Sequence, residues 1–302
     1  MTSPFVNLMR DSGFKIVYGD RANKKLLIDL LNVILPEEAH VEDIVEYQDR
    51  EQLKDTVYSK GSRLDLLCRG KDGTEYIVEV QRERCDPFFK RVMYYAAGVY
   101  RNNLDESEYY DQLTPVYVVG ILDFSLEHDD ERLWDHEHLI SHYEMVEKRT
   151  GELAPTVFSC NFVELNRFDK SAEKCVTYRD QLFYWFKNSG KMKMVPEFVE
   201  RSPRMAELTQ ACERGSFSRE KKLEYERLMM NELDKINMVH QAEKRGDENG
   251  YKRGREEGRE EGAMDKAIET ARNLKVNGVD IALIAKCTGL TNEQVAELKP
   301  DE

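Results

Sequence analysis

Residues 62–81 read SRLDLLCRGKDGTEYIVEVQ, and the fold turns on how this stretch doubles back on itself. Two β-leaning runs flank Lys71-Asp72-Gly73, which fits a three-residue hairpin loop: a type I turn followed by Gly73 in the left-handed conformation as a bulge. Gly70 then pairs with Thr74. Counting outward places Leu67 opposite Ile77, Asp65 opposite Glu79 and Arg63 opposite Gln81, all on one face. Leu64, Leu66 and Cys68 with Tyr76, Val78 and Val80 fall on the other face, which is apolar throughout and is expected to pack into the core. A two-residue Asp-Gly turn would slip the register by one and carry Asp65 to the face opposite Glu79.

Two acids directly across a strand pair, with Leu67 and Ile77 beside them on their face, repel one another and destabilise the hairpin unless something compensates. A divalent cation is one compensation. Carboxylate oxygens suit Mg2+ or Mn2+, hard ions that keep several waters and share phosphate oxygens. The alternative is that Arg63 or Arg82 pairs with one acid while the other sits at the solvent edge of the sheet. Asp65 and Glu79 are thus the candidate metal-binding carboxylates.

Working outward, residues 22–35 (ANKKLLIDLLNVIL) put Leu26, Leu27, Leu30, Leu31 and Ile34 at helical spacing before Pro36, which predicts an amphipathic helix. Residues 41–48, 63–69 and 75–81 lean to strand, 88–103 are apolar and aromatic at helical period, and 115–124 read as a buried strand. The predicted order is α, β, β, β, α, β. A further extended segment over 156–165 precedes a helix over 172–188.

From residue 219 to 277 the chain is rich in Glu, Lys and Arg and is expected to be mostly helical. Gly246, Gly250, Gly254, Gly258 and Gly262 recur every fourth residue through GREEGREEG, at a cost on the order of 1 kcal/mol each relative to alanine. Close packing on a partner helix, with a right-handed bias, accounts for such a stripe; so does a solvated linker. At the end, residues 281–298 (IALIAKCTGLTNEQVAEL) hold two short apolar-periodic segments, and Thr291 with Gln294 fits a capping box. The segment lacks the basic, amide-rich face that base reading needs, so a small helical hairpin for packing or dimerisation is expected.

A chain of 302 residues with 40% hydrophobic side chains buries a substantial core and is not disordered. No apolar run approaches the roughly 20 residues that span a bilayer, and the opening residues show no basic-then-apolar signal pattern. A cytoplasmic protein with no membrane partner is expected. Six cysteines without a close pair read as reduced thiols. The formal charge of −13 is unfavourable for holding nucleic acid by bulk electrostatics, so any such binding is local. Arg10, Lys15, Arg21, Lys24 and Lys25, and after the hairpin Arg82, Arg84, Lys90, Arg91 and Arg101, form basic clusters; solvated faces are the alternative. His128, His136, His138 and His142 with Asp129, Asp130 and Asp135 fit no standard zinc spacing and read as an acidic surface loop.

The hairpin string resembles the active-site hairpin of PD-(D/E)XK nucleases, specifically the nuclease-family transposases and recombination-promoting nucleases of bacteria. There an Asp precedes a second strand carrying (D/E)-x-K. Asp65 and Glu79 match, while Gln81 stands where lysine is usual, a variant found in the transposase-like branch. DSGFKIVYGDRANKKLLIDLLNVIL at 11–35 resembles the branch's N-terminal signature, and FFKRVMYYAAGVYRNNL at 88–104 its post-hairpin helix. The resemblance covers roughly residues 8–125.

The resemblance implies an α/β fold, a restriction-endonuclease-like mixed sheet flanked by helices, with a mainly helical C-terminal region. It implies that Asp65, Glu79 and the carbonyl of Val80 hold Mg2+ (or Mn2+), which polarises a phosphodiester and acidifies a water, leaving a 5′-phosphate on DNA. Gln81 can orient that water but cannot supply a lysine's charge; Lys60, Arg63 or Arg82 is expected to replace it. Lys15, Arg63, Arg82, Lys90 and Arg91 are the expected DNA contacts. The expected organisation is a nuclease-like domain over 1–170, a helical region over 171–215, a charged Gly/Glu-rich helical repeat over 216–277 and a terminal helical hairpin over 278–302. The expected function is metal-dependent DNA endonuclease activity linked to recombination or transposition, with homo-oligomerisation through the C-terminal helices. The alternative is a degenerate nuclease fold that binds DNA or assembles without cutting.

Overall fold

The chain reverses at Lys71-Asp72-Gly73 through the three-residue loop. Gly73 sits at φ 87°, the Gly70 N–H donates to the Thr74 carbonyl at 2.8 Å, and the Asp72 carboxylate holds the Thr74 N–H and hydroxyl. That loop sets the register of the two strands beside it, β2 (Leu66–Gly70) and β3 (Glu75–Gln81), with Leu67 opposite Ile77 and Arg69 opposite Glu75. The two-residue alternative, and the slip it would bring, are excluded.

The computed structural model describes residues 3–48, 64–84, 87–104, 109–126 and 138–299. Two helices, α1 (Asp11–Tyr18) and α2 (Lys24–Ile34), lead into β1 (Ile44–Tyr47). After the hairpin come α3 (Phe88–Asn102), β4 (Val116–Leu122), β5 (Ile140–Tyr143), β6 (Phe158–Glu164) and α4 (Tyr178–Asn188). Then α5 (Phe198–Arg201) and α6 (Pro203–Cys212) precede α7 (Arg219–Val276), α8 (Ile281–Thr288) and α9 (Asn292–Glu297). The described strands form one six-stranded sheet in the order β1-β2-β3-β4-β6-β5. β3, β4 and β6 run parallel, while β1, β2 and β5 run antiparallel to their neighbours. This mixed sheet with helices on both faces is the expected α/β architecture.

Three elements differ from the sequence reading. Helix α1, eight residues long, and strand β5, four, are too short for periodicity to announce them, and each is defined by what it packs on: α1 on α2 and α6, β5 as an edge strand on β6. The helix expected from residue 172 begins at Tyr178, because Thr177 caps it by accepting from the Asp180 N–H, and Ala172–Lys174 is a separate 3-10 turn.

The sheet separates two cores. On one face Leu66, Cys68, Tyr76, Val78 and Val80 join a cluster with Phe14, Leu27, Leu30, Leu31, Trp185 and Leu208, from α1, α2, α4 and α6. On the other, Leu67, Ile77, Val118 and Phe162 meet Phe88, Val92, Ala96 and Val99 of α3. Leu64, expected on the Leu66 face, belongs to this second cluster, because regular strand geometry starts only at Leu66 and the chain bends at Asp65. Helix α2 buries Leu26, Leu27, Leu30, Leu31 and Ile34. At about 1.5–3 kcal/mol per buried side chain, this burial is what orders an 11-residue helix that would be marginal alone.

By contacts the chain divides into two compact units, Met1–Glu232 and Leu233–Glu302. In the first, Phe217, Tyr225 and Leu228 pack on the main core. In the second, Ala271, Ile284, Leu290 and Val295 form a small core of their own, with Gly289 at φ 78° ending α8 and the expected Thr291/Gln294 capping box starting α9. The glycine repeat lies within α7, and among the described residues nothing beyond the helix's own neighbouring backbone stands within 4 Å of where a Cβ would be at Gly246, Gly250, Gly254, Gly258 or Gly262. No described helix is long and apolar enough to cross a membrane.

Helix α1 approaches the preceding segment so closely that a Cβ on Gly13 would collide with the Asn7 carbonyl oxygen. The obstacle is backbone held by neighbours: Met9 N–H donates to Asn7 Oδ1, and Leu8 N–H to Ser189 Oγ. Gly13→Ala, although it raises helix propensity, is expected to destabilise the protein by about 2–4 kcal/mol, measured by urea unfolding. Wild-type stability in this variant would mean that α1 does not sit where described.

Candidate active site

Glu79 lies near the carboxyl end of β3, and Asp65 immediately precedes β2, so the antiparallel hairpin brings both acids to the same end of the sheet. They are 7% exposed each. Their oxygens are tied to the hairpin itself: Asp65 Oδ2 accepts the Val80 N–H at 2.9 Å, and Glu79 Oε1 accepts the Asp65 N–H at 3.3 Å. These reciprocal bonds lock the acids side by side.

Two further groups reach them. Gln81 donates its amide N–H to Glu79 Oε2 at 3.1 Å, while its amide oxygen accepts from Arg91 of α3 at 3.2 Å. Lys15 of α1 places its ammonium 3.4 Å from Asp65 Oδ1 and also pairs with Asp11 one turn earlier. The Lys15 side chain is only 8% exposed, an arrangement lysine adopts only when its charge is partnered.

The electrostatics follow from burial. Asp65 is pushed up to about 6, first by desolvation and then by the Asp11 carboxylate, against the opposing pull of Lys15. Glu79 is raised well above the ordinary carboxylate range, chiefly by burial and then by the charge of Asp65. The two acids titrate as a pair, and both hold protons more readily than ordinary carboxylates.

The model of the PD-(D/E)XK nuclease family transposases matches residues 8–242 of the chain. The chain belongs to this family. Neither a curated protein nor a solved structure matches it. Its function is accordingly nuclease- or transposase-related, in a superfamily that generally uses divalent metals on a DNA substrate.

The donor set of this PD-(D/E)XK site fits such an ion. Two desolvated, mutually repelling carboxylates supply hard oxygen ligands, and Mg2+ is commonly held by just one or two protein carboxylates with water and phosphate completing the shell. Among the described residues no three His, Cys, Asp or Glu side chains converge as a ready-made cage. His142 is instead engaged by Asn161 at 2.6 Å, and His128, His136, Asp129, Asp130 and Asp135 lie outside the described residues.

Of the residues singled out from sequence, the fold brings Asp65, Glu79, Gln81, Val80 and Lys15 together, with Arg91 attached through Gln81. Lys15 stands inside the carboxylate cluster, not on an open basic face. Arg82 and Lys90 are exposed. Arg63 and Lys60 lie outside the described residues. Sequence reasoning missed Asp11, although its spacing to Lys15, one helical turn, is a signal for an ion pair on a common helix face.

Because Asp65 is raised, the folded protein binds more protons than the unfolded chain, and stability contributed at this site is lost as pH rises through about 6. In metal-free protein at about pH 8, Asp65→Asn is expected to be more stable than wild type by about 1–3 kcal/mol. The gap should close near pH 4–5. Denaturant unfolding at both pH values measures it; a wild type at least as stable as the variant at the higher pH contradicts the burial of a repelling pair.

Proposed function

We propose that this chain is a divalent-metal-dependent DNA endonuclease, cytoplasmic and linked to recombination or transposition. The observation that carries the reading is the convergence of Asp65 and Glu79 across the hairpin, locked by reciprocal bonds to backbone N–H groups. Family membership over residues 8–242 supports it. Asp65, Glu79 and the Val80 carbonyl would hold Mg2+ or Mn2+, which when bound polarises a phosphodiester and lowers the pKa of a water.

The chain's own groups do the rest. Gln81, fixed by Arg91, presents an amide that can align the attacking water. That water's oxygen bonds to phosphorus as the bond to the 3′ oxygen breaks, so the products are a 5′-phosphate and a 3′-hydroxyl that gains a proton. Exposed Arg82 and Lys90 are suited to contact flanking phosphates. On this reading residues 1–170 carry the chemistry and 171–215 a helical region, while the charged repeat over 216–277 and the hairpin over 278–302 pair with a second copy.

Duplex DNA incubated with the full chain in Mg2+ or Mn2+ is expected to be cut, with activity lost by at least about 10³-fold in Asp65→Ala and Glu79→Ala. Chelation should abolish it, and Mn2+ should raise the melting temperature of wild type but not of Asp65→Ala. If wild type and both variants behave alike, the enzyme reading fails. One observation favours a second reading, a fold that binds DNA without cutting: Gln81 in place of lysine. Wild-type binding to DNA with no metal-dependent scission would select it.

A further inference from the structure

The strand position two residues beyond Glu79 is occupied by a neutral amide, so whatever positive charge faces the reacting phosphate must come from elsewhere. Among the described residues, two cations lie near enough to consider. Arg91 reaches the acids only through Gln81, whose oxygen takes its N–H and whose nitrogen serves Glu79. Lys15 meets Asp65 directly, at 3.4 Å, with its side chain almost entirely removed from water.

Helix α1 is built to hold that ammonium in place. Asp11 pairs with Lys15 along the same helix face. Ser12 donates both its N–H and its hydroxyl to Glu232 of α7, the hydroxyl at 2.6 Å. Gly13 lets the helix lie against the Asn7 carbonyl. Three consecutive positions thus fix the helix that delivers Lys15 to the carboxylates.

Resting on the nuclease reading, we propose that Lys15 is the cation of the site: from α1 it supplies the charge that Gln81 cannot, facing the phosphate that a metal at Asp65 and Glu79 would bind. Its role is electrostatic. Negative charge building on the phosphate in the transition state is stabilised by a preorganised ammonium, and no proton is transferred to or from it. In the absence of metal the same ammonium partly neutralises the acids, so it opposes a divalent ion there. Asp11 is a positioning residue that holds Lys15 in line.

The full chain is tested as wild type, Lys15→Met, Lys15→Gln and Lys15→Arg, with Mn2+ affinity measured by calorimetry without DNA and DNA cleavage measured at saturating Mn2+. Removing the charge is expected to tighten Mn2+ roughly tenfold while cleavage falls by about 10²-fold or more. Lys15→Arg should keep Mn2+ affinity near wild type and recover part of the rate. Lys15→Gln keeps a polar side chain beside Asp11 and Asp65 without the charge, and carries the test if Lys15→Met does not fold. Opposite movement of affinity and rate distinguishes a reacting cation from a prop for the acids, whose loss would weaken both. Equal cleavage by wild type and the neutral variants, or Mn2+ binding no tighter in them, overturns the inference and leaves the nuclease reading standing. A wild type that cuts nothing removes that reading, and this one with it.

Discussion

Two carboxylates held side by side in a place nearly free of water are the constraint that the rest of this fold accommodates. Asp65 and Glu79 could escape by reaching solvent, but each has an oxygen bound to the backbone of the opposite strand, so the hairpin's own ladder keeps them in register. Desolvating and juxtaposing like charges is unfavourable by several kcal/mol in general. The structure tolerates it because the hairpin is sandwiched between two apolar clusters that cannot form unless β2 and β3 pair as they do. Burial of Leu67 and Ile77 on one side and of Leu66, Val78 and Val80 on the other offsets the strain at the carboxyl end. Stability is given up at one end of the hairpin, a pattern usual where side chains are arranged for reactivity.

The same asymmetry explains what sequence alone could reveal. The hairpin was legible because its register depends on local chemistry: a Lys-Asp-Gly loop has few ways to close, and Gly73 at positive φ selects one of them. From that single choice the facing of Asp65 and Glu79 followed by counting. The long apolar elements α2, α3 and β4 were legible for a related reason, since their periodicity alone determines which side must be buried. Leu64 broke the pattern because period-2 alternation holds only inside a regular strand, and the bend at Asp65 turns the preceding side chain to the other face.

What stayed hidden is tertiary. Strand β5 is short and polar, and it exists because β6 offers it an edge. The role of Lys15 could not be read from its neighbours either: in the sequence it belongs to a loose basic cluster, and only the docking of α1 separates it from Arg10, Lys24 and Lys25 by burying it against acids from a distant hairpin. The net charge of −13 misleads in the same way. A bulk count treats every charge as equally available to DNA, yet Asp65 and Glu79 are buried, with Asp65 paired to Lys15, while Arg82 and Lys90 are exposed.

Helix α1 also shows why a motif-sized view of the site is too small. The residue at its N-cap, Arg10, offers no side-chain cap, so the first turn would carry unsatisfied N–H groups. One of these, the Ser12 N–H, is taken by Glu232, 220 residues away in sequence and the last residue of the first compact unit. A carboxylate at that end is favourable to the helix dipole as well. The early turns of α7 are themselves seated by Phe217, Tyr225 and the pairing of Lys221 with Asp20. Placement of the ammonium beside Asp65 therefore depends on the register of α7, which begins at Arg219, some two hundred residues after α1. The hairpin supplies the acids, but the geometry of their cation is settled only once the chain has returned to close over α1.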